Sequence, residues 1–303
     1  MSAETPVNVG HALEQVHGAL DQAALCYGHG TDSAWDEAVS LMLNAASLPV
    51  DSGNSVLSLP VTDRAWQTAL DWLQRRIEER KPLPYLTGRA WFAGLEFGCD
   101  ERALVPRSPL AEVIRNAYQP WWTDGAPARL LDLCCGGGCI GIAAAVYQPS
   151  LDVVIADIDE DALCLARENV QRHQLQGRVR TLHSDLMDAL GHERFDVILC
   201  NPPYVDSADL AAMPAEYRAE PPRGLGCGTD GLDLARRILR DAQQHLTDEG
   251  LLFLELGNSW ETLDAELATL PLTWLEFSEG GHGVLLVRAA ELPSLVEHLT
   301  GAP

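Results

Sequence analysis

Residues 128–147 read Ala-Arg-Leu-Leu-Asp-Leu-Cys-Cys-Gly-Gly-Gly-Cys-Ile-Gly-Ile-Ala-Ala-Ala-Val-Tyr. The apolar run that surrounds Asp132 predicts a buried strand, and the apolar run from Cys139 predicts a helix. The glycines between them allow the tight turn that joins the two elements. A strand that passes through a glycine-rich turn directly into a helix is typical of α/β folds with a parallel sheet.

The same alternation continues to the end of the chain. It predicts strands at 129–134, 152–157, 179–183, 195–200, 250–256, 272–277 and 284–288, and helices at 139–147, 160–173, 232–245 and 260–270. The glycine-rich residues 280–283 between the last two strands suit an antiparallel hairpin better than a crossover. The fold class is therefore α/β, with a doubly wound, mainly parallel sheet and helices on both faces.

The first third of the chain has helical periodicity instead. It predicts helices near 13–23, from about Asp32 to before Pro49, and at 62–80 with Thr62 as the N-cap. A short hairpin around Gly94 follows, and then a helix with Ser108 as N-cap and Pro109 in the first position. We therefore divide the chain into a helical domain at 1–90, a hairpin and linker helix at 91–127, and an α/β domain at 128–303.

The charge of the chain limits its partners. Its 44 acidic residues against 21 Lys and Arg give a net charge of −23, and no basic cluster is present to bind a nucleic-acid backbone. A basic partner or a cationic cofactor is favoured instead. The apolar runs are too short to span a membrane, the N-terminus has no secretory pattern, and no spacing is typical of a metal site. We expect a cytoplasmic protein with no membrane or metal partner.

The glycine-rich turn is a candidate cofactor site, in which the backbone can approach a ligand at Cys134, Cys135, Gly136 and Gly138. Asp157 ends the next strand and can accept from two ribose hydroxyls, which suits a nicotinamide dinucleotide equally well. An acidic residue at Asp132 suits the ammonium group of an amino acid better than a pyrophosphate. The glycine pattern Gly136, Gly138, Gly141 also starts later after the strand than that of a dinucleotide-binding loop. Both features favour S-adenosylmethionine. Asp185 follows the third strand and either accepts from the adenine amino group or caps a helix.

The tetrapeptide Asn201-Pro202-Pro203-Tyr204 follows the fourth strand, where parallel sheets bind ligands. The prolines constrain the backbone and remove two donors. The Asn201 side-chain oxygen and the Pro202 carbonyl can then accept both hydrogens of one NH₂ group, while Tyr204 stacks on a flat substrate. Two acceptors would aim the poorly nucleophilic lone pair of a planar nitrogen and stabilise its growing positive charge. The loop alone does not distinguish a glutamine amide from adenine.

With these residues in place, the chain resembles the protein-glutamine methyltransferases of the PrmB/HemK type over nearly its whole length. The matching features are the helical N-terminal domain, Leu104-Val-Pro-Arg107, the Asp132 loop, Asp157 and Asn201–Tyr204. The resemblance implies the seven-stranded, Rossmann-like class I methyltransferase fold and an N-terminal domain that recognises the substrate. It also implies a substrate-binding role for Pro203, Tyr204 and Arg107, although Arg107 suits a cofactor cap or a structural salt bridge as well.

Three segments resemble the branch that methylates the third large-subunit ribosomal protein, namely residues 27–36, 105–109 and 216–221. A basic ribosomal protein agrees with the acidic charge. Peptide-chain release factors are the nearest alternative substrate, and adenine in nucleic acid and a non-enzymatic binding factor are more distant. Two departures from related enzymes are Cys135 and Gly137, where Thr and Ser are frequent. The segment Gly228-Thr-Asp-Gly231-Leu232 either shapes the acceptor pocket or caps the next helix, and we favour the cap.

Overall fold

The computed structural model describes residues 4–123 and 125–301. Two units emerge from it. The helical unit comprises the chain up to Ala90 together with Cys99–Glu101 and Pro214–Glu220. The sheet unit comprises Trp91–Gly98, Arg102–Met213 and the chain from Pro221 onwards. Two short segments of sequence that lie far from the N-terminus therefore belong to the helical unit.

The helical unit is built from α1 (Val9–Gln22), α2 (Ala34–Ala45), α3 (Asp63–Glu78) and the short α4 (Leu83–Thr87). Side-chain oxygens of Asn8, Ser33 and Thr62 cap the first three helices, because each accepts a backbone N–H that has no partner inside its helix. The apolar faces meet around Trp66, which is fully buried. The predicted Thr62 cap is thus confirmed.

The central sheet contains, in the described residues, seven strands in the order β5-β4-β3-β6-β7-β9-β8. They are β3 (Arg129–Leu133), β4 (Asp152–Asp157), β5 (Val179–His183), β6 (Phe195–Cys200), β7 (Leu246–Glu255), β8 (Thr273–Trp274) and β9 (Val284–Arg288). All pairs among β3 to β7 are parallel, whereas β9 is antiparallel to both of its neighbours. The doubly wound sheet and its antiparallel ending are confirmed. A separate two-stranded hairpin pairs β1 (Arg89–Phe92) with β2 (Leu95–Gly98).

Helices cover both faces of the sheet, as the near-continuous apolar strands require. They are α5 (Leu110–Arg115), α6 (Cys139–Tyr147), α7 (Glu160–Arg172), α9 (Asp233–His245), α10 (Trp260–Glu266) and α11 (Leu292–Gly301). The short helix α8 (Ser207–Ala212) is exposed along its whole length. Each face has its own apolar core. One contains Ile140 and Phe253, and the other contains Ile198 and Leu239.

The order of the strands places a functional site at one end of the sheet. From β3 the chain winds outward through β4 and β5, and then it returns to the other side of β3 with β6 and β7. The winding direction reverses between β3 and β6, and open parallel sheets bind ligands beyond the carboxyl ends of strands at such a point. Cys134 and Asn201 follow the two strands that meet there.

Several predicted boundaries were wrong. β8 is only two residues long, β7 begins four residues early, and α8 and α11 were not foreseen. The predicted cap at Ser108 was also wrong, since the helix begins at Leu110 with Pro109 in the N-cap position. The Ser108 hydroxyl accepts from the Leu110 N–H but donates to Glu255, a tertiary contact that local sequence cannot reveal.

Candidate active site

The loop between β3 and α6 is fixed largely by its own hydrogen bonds. Cys134, Gly136 and Gly138 have φ values of 59°, 52° and 81°, a left-handed backbone that glycine adopts without strain. The N–H of Gly138 donates to the carbonyl of Cys135 at 2.8 Å, and the N–H of Cys135 donates to the carbonyl of Ala156 at 3.0 Å. The loop is therefore preformed, and several of its N–H groups already have partners within the protein.

Asp132 lies beneath this loop and is 0% exposed. Its Oδ2 accepts from the N–H of Gly141 at 2.8 Å, whereas Oδ1 is buried without a partner among the described residues. Burial raises the pKa of Asp132 to about 8, because a carboxylate loses its hydration there. Burying an ionised carboxylate oxygen without a partner costs free energy, and a cation bound nearby would compensate that cost.

Gly141 makes the close approach of α6 to the sheet possible. A Cβ atom at this position would lie 2.5 Å from Cγ2 of Ile155 and 2.9 Å from Cβ of Asp132. The glycine thus lets its own N–H reach the Asp132 carboxylate. Gly141, the third glycine of the pattern Gly136, Gly138, Gly141, therefore has a packing role in this structure.

Asp157 ends β4 beside the loop and is half-buried. Its Oδ2 accepts from the N–H of Gly136 at 2.8 Å, and its Oδ1 accepts from the N–H of Asp159 at 2.9 Å. Burial raises the pKa of Asp157, and these backbone hydrogen bonds oppose that shift. Each carboxylate oxygen retains a second acceptor position, so two hydroxyl groups of one ligand can still be bound.

The remaining predicted cofactor residues differ in what they offer. The Cys135 side chain is buried in an apolar core, so this residue can contact a ligand only through its backbone. Cys134 is half-buried at the end of β3. Asp185 is exposed and lies 3.2 Å from the guanidinium of Arg237, and it does not cap the short helix that follows. The alternative that Asp185 is an N-cap was therefore wrong.

The Asn201–Tyr204 loop leaves β6 next to the glycine loop, because Leu133 of β3 pairs with Cys200 of β6. Asn201 is half-buried, and its side chain forms no hydrogen bond with any residue that the structure describes. Pro202 is buried, and Pro203 is half-buried. The loop exit is fixed by Val205, whose N–H donates to Leu225. A primary amide in a rigid loop is thus available to a ligand.

Tyr204 is held at its backbone and around its ring. The Ser259 hydroxyl donates to the Tyr204 carbonyl at 2.8 Å. A Cβ on Gly231 would lie 2.1 Å from the same carbonyl, and a Cβ on Gly257 would lie 2.4 Å from Cε2 of the Tyr204 ring. Gly231 therefore shapes the candidate acceptor loop. Leu232, the last residue of the segment 228–232, is the N-cap of α9 as expected, although its own side chain accepts no hydrogen bond. The sulfur of the neighbouring Cys227 accepts from the N–H of Leu234.

Sequence reasoning missed Glu255, the last residue of β7. It is 4% exposed, and its carboxylate accepts from the hydroxyls of Ser108 and Tyr204. Burial raises the pKa of Glu255 to about 7, and the hydrogen bonds from Ser108 and Tyr204 and the positive charge of Arg107 oppose that shift. The Arg107 guanidinium itself donates to the Val105 carbonyl at 3.4 Å. An acidic residue directly after the apolar run 251–254 was the available signal.

Two of the segments that resembled the ribosomal-protein branch lie together in the helical unit. The His29 ring lies 4.5 Å from the Tyr217 ring with the two planes tilted by 47°, and its Nε2 lies 3.5 Å from a carboxylate oxygen of Glu220. Glu216 accepts from the backbone N–H of Cys26 at 3.1 Å. The segment 214–220 is thus attached to the loop between α1 and α2.

A buried ion network holds this attachment. Nε of Arg76 lies 2.5 Å from Oε1 of Glu37, and Nη1 of Arg76 lies 3.4 Å from Oε1 of Glu216, with all three side chains almost fully buried. Arg76 also donates to the Cys26 carbonyl at 2.9 Å. One guanidinium therefore joins α3, α2 and two loops within the helical unit.

Comparison with known proteins identifies the family. The methyltransferase small domain family matches residues 122–216. A "ribosomal protein uL3 glutamine methyltransferase" of Francisella tularensis is 45% identical over 88% of this chain and 85% of its own length. A protein of the same name from Xanthomonas campestris is 45% identical over 93% of this chain and 94% of its own. The chain belongs to this methyltransferase family.

A crystal structure of a methyltransferase from Pyrococcus furiosus gives a TM-score of 0.46 at 19% identity, covering 65% of this chain and 89% of that one. The fold assignment rests on the strand order and on the two relatives instead. No helix in the described part of the chain has the length and apolar character needed to cross a membrane.

Proposed function

We propose that this protein transfers a methyl group from S-adenosylmethionine to the side-chain amide nitrogen of a glutamine in ribosomal protein uL3. The observation that carries the proposal is the Asn201 amide, which is unpaired among the described residues and half-buried at the switch point of the sheet. The names of the two relatives supply the substrate.

The residues at the ends of β3 and β4 fit S-adenosylmethionine. Asp132 has a buried, unpaired oxygen and a pKa raised to about 8, and a cationic ligand would stabilise its ionised form. Asp157 would accept from the ribose hydroxyls, Asp185 would accept from the adenine amino group, and the backbone of Cys134, Cys135, Gly136 and Gly138 would line the ligand. When bound, the cofactor supplies an electrophilic methyl group on a positively charged sulfonium.

The Asn201 loop would orient the acceptor nitrogen. The Asn201 side-chain oxygen and the Pro202 carbonyl accept the two amide hydrogens, while Pro203 and the Tyr204 ring confine the plane of the amide. Fixing that plane directs the nitrogen lone pair, and the two acceptors stabilise the positive charge that grows on nitrogen during transfer. Such preorganised acceptors are worth up to about 4 kcal/mol. No strong base is needed, because the amide proton can leave after the transfer.

We assign substrate recognition to the N-terminal domain at residues 1–90, which forms the main part of the helical unit together with segment 214–220. Segments 27–36 and 216–221 resemble the ribosomal-protein branch, and their contacts through Tyr217 and Glu220 support this assignment. A basic protein substrate is attracted to a chain with a net charge of −23. Arg107 binds substrate in this proposal. A ribosomal-protein substrate also favours a cytoplasmic location.

The test is incubation of unmethylated uL3 with the enzyme and cofactor carrying a labelled methyl group, followed by mass spectrometry of the peptides. We expect one label on one glutamine of uL3. A release factor and an RNA fragment are assayed in parallel under identical conditions. Label on the release factor but not on uL3 would reassign the substrate, and label on adenine would reassign the chemistry. Absence of label from all three would refute the proposal.

A further inference from the structure

Glu255 occupies a position from which it can act on the acceptor loop. β7 runs parallel to β6, and Cys200 pairs with Leu254, so the residues that follow them, Asn201 and Glu255, lie at the same edge of the sheet. Glu255 itself pairs with Val284 of β9 and is almost completely buried. A buried acid at the carboxyl end of a central strand requires partners for its oxygens.

Both oxygens of Glu255 have such partners, and the two partners come from different loops. Oε2 accepts from the Ser108 hydroxyl at 2.5 Å, and Oε1 accepts from the Tyr204 hydroxyl at 3.3 Å. The Ser108 contact is short, as expected for a hydroxyl that donates to a carboxylate. The carboxylate therefore connects the segment before α5 to the acceptor loop after β6.

This contact completes the confinement of Tyr204. Ser259 and Gly231 fix its carbonyl, and Gly257 lies against its ring. The hydroxyl at the end of the same side chain donates to Glu255. The Tyr204 ring cannot be displaced without breaking a hydrogen bond to a buried acid, which is costly because the acid keeps its desolvation penalty.

We propose that Glu255 is a positioning residue for methyl transfer, which fixes the Tyr204 ring through the phenol hydroxyl and thereby sets the plane of the acceptor amide. This inference rests on the proposed function of the Asn201–Tyr204 loop. Glu255 does not touch the reacting atoms in this proposal. Replacing Glu255 should therefore lower the turnover rate rather than the affinity for the cofactor, because the proposed cofactor residues follow β3 and β4.

The test compares Glu255→Gln with Tyr204→Phe and with the double variant. Each single variant should lower kcat roughly tenfold, with the KM for S-adenosylmethionine within about twofold of wild type. Both changes act on the same hydrogen bond, which Glu255→Gln weakens by removing the charge of its acceptor and Tyr204→Phe removes, so the double variant should be no slower than the slower single variant. Glu249→Gln, an exposed residue of the same strand, is the matched control and should keep the wild-type kcat. Should Glu255→Gln fail to fold, Ser108→Ala replaces it, with a reduced kcat expected.

A spectroscopic measurement separates this inference from the proposed function. The ¹³Cζ resonance of Tyr204 should move in Glu255→Gln and remain in place in Glu249→Gln, whatever substrate the enzyme methylates. An unchanged resonance, a wild-type kcat in Glu255→Gln, or fully multiplicative effects in the double variant would overturn the positioning role. Wild-type enzyme that labels no glutamine would instead overturn the proposed function, and the resonance would still decide the role of Glu255.

Discussion

Asp132 makes the apo protein less stable as the pH rises. Its pKa is 3.8 for the ordinary side chain and about 8 when buried in the folded protein. Between these values the folded state holds a proton that the unfolded state has lost, so the free energy of unfolding falls with increasing pH up to about 8. Asp132→Asn removes this titration. We expect its melting temperature to decline less than that of wild type between about pH 4 and pH 8.

Calorimetry of both proteins across that range is the measurement, and Asp152→Asn, an exposed residue of the neighbouring strand, is the control that should behave as wild type. Equal slopes for wild type and Asp132→Asn would contradict the buried titration. The same variant should bind S-adenosylmethionine more weakly, because it lacks the negative charge that would pair with the cationic cofactor.

We propose that Asn201 orients the acceptor nitrogen, and its replacement tests that role. Asn201→Ala removes one of two acceptors for the amide hydrogens, so kcat for uL3 should fall by about 10²-fold or more. Cofactor affinity, measured by calorimetric titration, should change far less. Asn116→Ala, at an exposed position after α5, should leave both quantities unchanged. Near-normal turnover of Asn201→Ala would remove the assigned role.

At the scale of elements, the join between β3 and α6 is sensitive to a single methyl group. Alanine usually stabilises a helix over glycine by about 1 kcal/mol. At Gly141, however, the added Cβ would lie 2.5 Å from Cγ2 of Ile155. This distance is too short for two carbon atoms, so the surrounding atoms would have to move. Overpacking costs about 1–3 kcal/mol, so it outweighs the helix preference. Gly141→Ala should therefore be destabilised in a urea titration, with weakened cofactor binding.

Gly177→Ala provides the comparison, because a Cβ there would meet nothing within 4 Å. Its free energy of unfolding should stay close to wild type. A Gly141→Ala variant as stable as Gly177→Ala would show that α6 can move away from the sheet without a loss of stability. The close packing of α6 would then not be what holds the loop between β3 and α6 in place.

Elements with strong periodicity were predictable, and tertiary contacts were not. The bounds of β4, β6 and β9 follow from apolar runs between polar turns, as predicted, and the predicted bounds of β5 are confirmed as well. β8 was overestimated, because an apolar stretch does not reveal how many of its residues find a partner strand. Asp132 and Asn201 could be predicted as candidate site residues because each lies in a local motif. Glu255 was missed, because its partners Ser108 and Tyr204 are distant in sequence and meet it only in the folded sheet.

At the scale of the whole molecule, we expect the net charge of −23 to attract a basic substrate. Such attraction accelerates association, and salt screens it. Raising the salt from about 0.05 M to about 0.5 M should therefore raise the KM for uL3 by roughly an order of magnitude. The kcat should remain nearly constant, because the buried residues around Tyr204 are shielded from solvent ions. A short glutamine peptide without basic residues is the control, and its KM should be insensitive to salt. A flat KM for uL3 would mean that docking depends on local contacts of the helical unit rather than on the field of the whole chain.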